Sequence, residues 1–111
     1  MVVGEVSAWL ELDGVKVGVQ FDSAAMQHRR KGRHNEMLGR AVGLKADLKP
    51  LIWDVTGGLG RDAFVLADLG CKVTLCERVP ALAWLLDQAV QAAAVSGADH
   101  VRAAADRMVV L

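Results

Sequence analysis

The run Pro50-Leu51-Ile52-Trp53-Asp54-Val55-Thr56-Gly57-Gly58-Leu59-Gly60-Arg61-Asp62 constrains the fold of this 111-residue chain more than any other segment. An apolar stretch of strand length breaks into a glycine-rich turn, and the turn opens into a helical pattern. A second apolar run, Val73-Thr74-Leu75-Cys76, ends on Glu77, 19 residues after Gly58. Strand, glycine turn, helix, strand and terminal acid make one half of a Rossmann-like sheet. The spacing suits a carboxylate that accepts hydrogen bonds from a ribose diol.

Gly57, Gly58 and Gly60 stand where backbone must pass close to a ligand, because a Cβ there would collide with it. Gly58 to Ala63 also matches G-x-G-x-x-A, so a nicotinamide or flavin dinucleotide is one reading. Asp54, at the carboxyl end of the first strand, separates the candidates. An acid aimed into that crevice repels a pyrophosphate at the helix N-terminus. A cofactor with a cationic amino-acid end would welcome it. S-adenosylmethionine (SAM) carries an ammonium, a sulfonium and a ribose diol, and no phosphate. A kinase-type phosphate loop is excluded, since no G-x-x-x-x-G-K-[ST] occurs. The bland alternative makes Asp54 a turn cap and Glu77-Arg78 a solvated pair at a strand end.

The length fits one domain with a core, but is short for a complete doubly wound sheet. Apolar residues make up 53% of the chain, which argues against disorder. No apolar run reaches the length of a membrane span, and the start lacks the basic residues of a secretory signal, so a cytoplasmic location is expected. Cys71 and Cys76 flank one strand, too far apart to bridge, and read as reduced thiols. His28, His34 and His100 are scattered, so no metal is expected.

Net charge is zero but unevenly placed. Seven basic residues and two acidic ones fall between Gln27 and Lys49, leaving six basic and eleven acidic elsewhere. Arg29, Arg30, Lys31 and Arg33 lead that group, an electrostatic footprint for phosphate. A solvated helix face is the competing reading, and no aromatic residue lies in the segment to stack bases.

Leu10-Glu11-Leu12 and Val15-Lys16-Val17 flank Asp13-Gly14, a strong hairpin signal. Alternation continues through Val19 and Phe21. Ser23 is placed to cap a short helix through Gln27, and Asn35 a second one, with Leu38, Ala41 and Val42 facing inward before Gly43 stops it. The basic loop would hang between them. Asp62 to Leu69 reads as helix closed by Gly70, and Lys72 to Glu77 as strand. Pro80 opens a helix to about Val95, stopped by Ser96-Gly97, with Trp84, Leu85 and Ala92 on its core side. Met108 to Leu111 is the third strand. Three parallel strands with two crossover helices leave a face or edge uncovered, so self-association through an exposed sheet edge is expected.

With these residues in view, the chain resembles the N-terminal half of the ribosomal RNA small subunit methyltransferase J family, bacterial 16S rRNA guanine-N2 methyltransferases. Three blocks carry the resemblance: Phe21 to Lys31 with Ala41 to Lys45, Asp54 to Phe64, and Glu77-Arg78. It implies SAM as cofactor, with contacts from Arg61, Asp62, Glu77 and Arg78. Glu77 would hold the ribose hydroxyls, Arg78 would flank the nucleoside, and Asp62 would lie near the methionine end. Arg61 would reach the cofactor carboxylate or an RNA phosphate. It also implies 16S rRNA or the small ribosomal subunit as partner, with Arg29, Arg30, Lys31 and Arg33 as the RNA-contacting group.

The departures bear on activity. The family continues past its third strand with a Ser-Ser pair and an Asp-Pro motif that holds the target amino group. The only prolines here are Pro50 and Pro80, neither preceded by Asp. Lys31-Gly32-Arg33-His34-Asn35 also replaces a longer glycine-rich stretch.

The expected fold is therefore α/β: a Rossmann-like class I SAM-dependent methyltransferase fold truncated after its third parallel strand, preceded by a β-hairpin unit and helices. Residues 1–49 would form the hairpin and basic helical segment, and 50–111 the first half of the SAM-binding domain. Asp54, Gly58, Gly60, Arg61, Asp62, Glu77 and Arg78 are the expected cofactor residues, with no catalytic residue in the chain. The isolated chain is expected to be inactive. A non-catalytic RNA- or cofactor-binding fragment and an NAD(P)-binding oxidoreductase fragment are the alternatives.

Overall fold

A hairpin opens the computed structural model, which describes residues 9–12, 14–30, 33–55 and 60–111, with the side chains of 9, 10, 12, 15–17, 29, 30 and 33–35 left aside. Strands β1 (Trp9–Leu12) and β2 (Val15–Gly18) pair antiparallel, with Leu12 opposite Val15, as the Asp13-Gly14 signal predicts. Asp13 itself lies outside the described residues. The alternation does not carry β2 on to Phe21. The strand ends at Gly18, and Phe21 sits in a turn, 2% exposed, in the core.

Helix α1 (Ala24–Arg30) starts where Ser23 caps it, the Met26 N–H donating to Ser23 Oγ at 3.2 Å. Helix α2 spans Arg33–Ala41, so Asn35 lies inside its first turn and is not its cap. Ala41 is exposed, whereas Leu38 and Val42 pack against the core as expected. Arg29, Arg30 and Arg33 therefore have helical backbone where the sequence reading has a basic loop, and Lys31 and Gly32 fall outside the described residues. Helix propensity explains this correction: Arg extends a helix at little cost.

The parallel sheet contains β3 (Ile52–Asp54), β4 (Val73–Leu75) and β5 (Met108–Val110) in that order. Ile52, Val73 and Met108 lie in register, as do Asp54, Leu75 and Val110. Helix α3 (Arg61–Asp68) connects β3 to β4 and ends at Gly70, whose φ of 109° only glycine adopts without strain. The Gly70 N–H donates to Ala67 O and the Cys71 N–H to Leu66 O, both at 3.0 Å, which closes the last helical turn with both otherwise orphaned carbonyls satisfied.

The crossover from β4 to β5 contains two helices, α4 (Pro80–Ala94) and α5 (Asp99–Ala105), where the sequence reading has one. Val101, Ala104 and Ala105 of α5 are buried at helical spacing. Pro80 stands at the start of α4 as expected, but Trp84 is 49% exposed; Leu85, Leu86, Ala89 and Ala93 form the buried stripe.

The core lies between one sheet face and the helices: Val73, Leu75 and Met108 pack with Phe64, Leu66, Leu86 and Val101. The opposite face is different. Trp53, Thr74 and Val109 stand side by side in register, and Trp53 and Val109 are 64% and 53% exposed. Leu51, Val55 and Leu111 continue this exposed apolar stripe. A groove of about 400 Å³ lies against it, with Lys72 and Arg107 among its lining residues. Parallel sheets are ordinarily buried on both faces. Among the described residues, no helix is long and apolar enough to cross a membrane.

Candidate cofactor site

The carboxyl ends of β3 and β4 gather most of the residues singled out in the sequence. Asp54 ends β3, and the Cys76 N–H donates to its carbonyl at 2.8 Å, prolonging the pairing one residue past β4. Glu77 follows directly, so the two carboxylates rise from neighbouring strand ends. This is the edge at which open α/β sheets bind ligands.

Gly58 falls among residues 56–59, outside the described residues, but Gly60 is described. It caps α3 with a φ of 72°, a left-handed conformation that costs any residue with a Cβ. A Cβ there would stand 2.8 Å from Leu86 Cδ2 and 3.3 Å from Phe21 Cζ. The glycine thus permits both the turn and the close approach of the chain to α4. Gly60 O accepts from the Phe64 N–H at 2.8 Å, and Arg61 and Asp62 occupy the exposed first turn of α3, where amides lack partners within the helix.

Glu77 is half-buried and Arg78 exposed. The Val79 N–H donates to Glu77 Oε1 at 3.0 Å, so the carboxylate is oriented by its own loop. Val79 then leads into Pro80, the first residue of α4, whose missing N–H costs nothing there. Strand end, acid, turn and helix start follow within six residues.

This geometry fits a nucleoside with a charged amino-acid tail. One carboxylate is oriented beside the β4 end, a second ends β3, and the helix start between the strands comes from a glycine turn with no room for a Cβ. The basic group is not part of it: Arg29 and Arg30 lie in α1 and Arg33 in α2, while Lys31 falls outside the described residues. Helix α1 is instead fastened to α5, with Gln27 Nε2 and His100 Nε2 3.2 Å apart.

The two thiols lie at opposite ends of β4. Cys71 is buried at the amino end, and burial pushes its thiol pKa up, opposed by the charges of Lys49 and Arg107. It lies at the far end of the sheet from the site. Among the described residues, no group of three or more His, Cys, Asp or Glu side chains could hold a metal. Sequence reasoning missed Phe21 and Leu86 as the side chains that wall Gly60. Helix α4 is apolar on most sides, so its pattern does not single out Leu86, and Phe21 stands out only as an apolar residue in the alternation and in the Phe21 to Lys31 block.

Comparison with known proteins gives this arrangement its class. A family described as "Putative SAM-dependent methyltransferase" matches residues 7–110, and the chain belongs to that family, whose cofactor is SAM. The chain is also similar to proteins named ribosomal RNA small subunit methyltransferase J. It is 51% identical over 88 residues to that of Colwellia psychrerythraea, covering 75% of this chain and 32% of the relative. With that of Stutzerimonas stutzeri it shares 45% identity over 112 residues, covering 96% of this chain and 43% of the relative. The crystal structure of an SAM-dependent methyltransferase from Neisseria gonorrhoeae superposes with a TM-score of 0.78 at 37% identity, over 95% of this chain and 43% of that one. The chain therefore spans less than half the length of the relatives it matches. The fold is the Rossmann-like α/β arrangement expected.

Proposed function

We propose that these residues form the SAM-binding part of a methyltransferase acting on guanine N2 of 16S rRNA in the cytoplasm. The observation that carries this reading is the pairing of Glu77, held by the Val79 N–H, with Asp54 and the Gly60 turn at one sheet edge. The names of the relatives support the RNA substrate.

SAM supplies a methyl group on a sulfonium that is already a good leaving group. The residues here have the task of binding and orienting: Glu77 accepts from the ribose hydroxyls, with Arg78 beside the nucleoside. Asp54 and the first turn of α3, with Arg61 and Asp62, attend the amino-acid end. Gly58 would line the turn. Alignment of donor and acceptor is the larger part of such catalysis, and the Asp-Pro motif that would hold the target base is absent from these 111 residues. They alone transfer no methyl group. Arg29, Arg30, Lys31 and Arg33 supply the RNA contact, and the uncovered sheet edge allows copies to associate.

Calorimetric titration of the chain with SAM and, in parallel, with NAD tests the reading. The expected result is binding of SAM alone, weakened about tenfold or more in Glu77→Ala, the scale of a lost charge-assisted hydrogen bond. Binding of NAD, or SAM binding indifferent to Glu77, would overturn it.

A further inference from the structure

We propose that Phe21 is a positioning residue for the cofactor turn, so that the segment leading into helix α1 supports the site from the core side. The idea rests on the reading of that turn as the SAM cradle. Phe21 lies outside the strand-turn-helix unit in sequence, yet its ring stacks on Phe64 with centroids 4.8 Å apart and planes 6° from parallel. Its Cζ also stands 3.3 Å from the position a Gly60 Cβ would take. One side chain therefore stacks on the fourth residue of α3 and occupies the space that a Cβ on its capping residue would need. These two are joined by the hydrogen bond from the Phe64 N–H to Gly60 O.

The segment around Phe21 is fastened independently. Asp22 Oδ2 accepts from Ser96 Oγ at 3.3 Å, and Asp22 Oδ1 accepts from Gln20 Nε2 at 3.0 Å. Ser96 is buried at the junction of α4 and α5, where its Oγ also accepts from the Ala98 N–H. Beyond Ser23, Met26 is buried in the shared core and Gln27 meets His100. Residues 20–27 thus bridge the start of α3 and the α4–α5 junction, with Phe21 between them. Leu86 closes the other side of Gly60 from α4. Removing either side chain leaves Gly60 supported from one side only.

A merely structural Phe21 would stabilise the whole core evenly; a positioning one acts first on the turn. Amide hydrogen exchange of the ligand-free chain distinguishes these, with Phe21→Ala compared with Met26→Ala, which removes another buried side chain of the same segment. In Phe21→Ala the Phe64 amide should exchange faster by about tenfold more than the Cys76 amide, which bonds to Asp54 across the sheet. Met26→Ala should accelerate both alike. Phe21→Leu, which keeps bulk, should restore most of the Phe64 protection and serves if Phe21→Ala does not fold. Equal acceleration of Phe64 and Cys76 in the Phe21 variant that folds would overturn the proposal. Titration with SAM then separates the two readings: a wild-type chain that binds no SAM defeats the functional reading, while the exchange pattern still decides the role of Phe21.

Discussion

Leu86 Cδ2 stands 2.8 Å from where a Gly60 Cβ would be, so α4 packs directly against the turn that opens α3. Leu86 is completely buried and cannot swing its methyl into solvent. Gly60→Ala should cost about 1–2 kcal/mol for the left-handed backbone and about 1–3 kcal/mol more for overpacking. Urea unfolding checks the sum. Adding Leu86→Val should recover part of the second contribution and none of the first, which a double-mutant cycle reads directly.

The strand-turn-helix unit was legible because each of its signals is local. Strand and helix patterns fix Ile52–Asp54 and α3, Gly70 closes the helix, and Pro80 opens the next. What escaped depends on contacts distant in sequence or on weak periodicity. Helix α4 is rich in Ala and apolar on most sides, so its pattern did not show that Trp84 faces out while Leu86 faces in. Helix α5 has only seven residues, four of them Ala or Val, too short to announce a period. Of the candidate site, Asp54 and Glu77 were readable as strand-end acids. The Phe21 stack on Phe64 joins residues that no local pattern links.

Cys71 should report the pH response of the core. Burial raises the Cys71 thiol pKa, so the unfolded chain loses this proton at lower pH than the folded one. The stabilisation is complete below the ordinary thiol pKa, about 8.5, and is lost as pH rises from there through the raised folded value. Unfolding midpoints measured from pH 7 to 10 should therefore fall on the alkaline side, and Cys71→Ala should flatten that part of the slope. An alkylating reagent should label the partly exposed Cys76 well before the buried Cys71.

If the basic group binds RNA and Glu77 binds cofactor, the two functions should separate by mutation. Replacing Arg29, Arg30 and Lys31 with Gln should weaken affinity for a small-subunit RNA fragment and reduce its salt dependence by about 0.7 to 0.9 in log-log slope for each phosphate no longer neutralised. Glu77→Ala should leave RNA affinity unchanged. Filter binding across a salt series tests both. An RNA affinity indifferent to the three basic residues would remove α1 from the interface.

The stripe formed by Trp53, Val109 and their neighbours predicts how the isolated chain behaves in solution. Trp53 lies on β3, whose outer edge has no partner strand among the described residues, and it stands in line with Thr74 and Val109 on the face without helices. An apolar face beside an unpaired edge is a template for another chain. Sedimentation velocity should show concentration-dependent association of the wild-type chain. Trp53→Lys should shift it toward monomer, because a charge there must be desolvated in any packed interface. Since Trp53 is largely exposed, the same change should alter monomer stability by only about 0.5 kcal/mol or less. Association that persists unchanged in Trp53→Lys would place the contact elsewhere on the molecule.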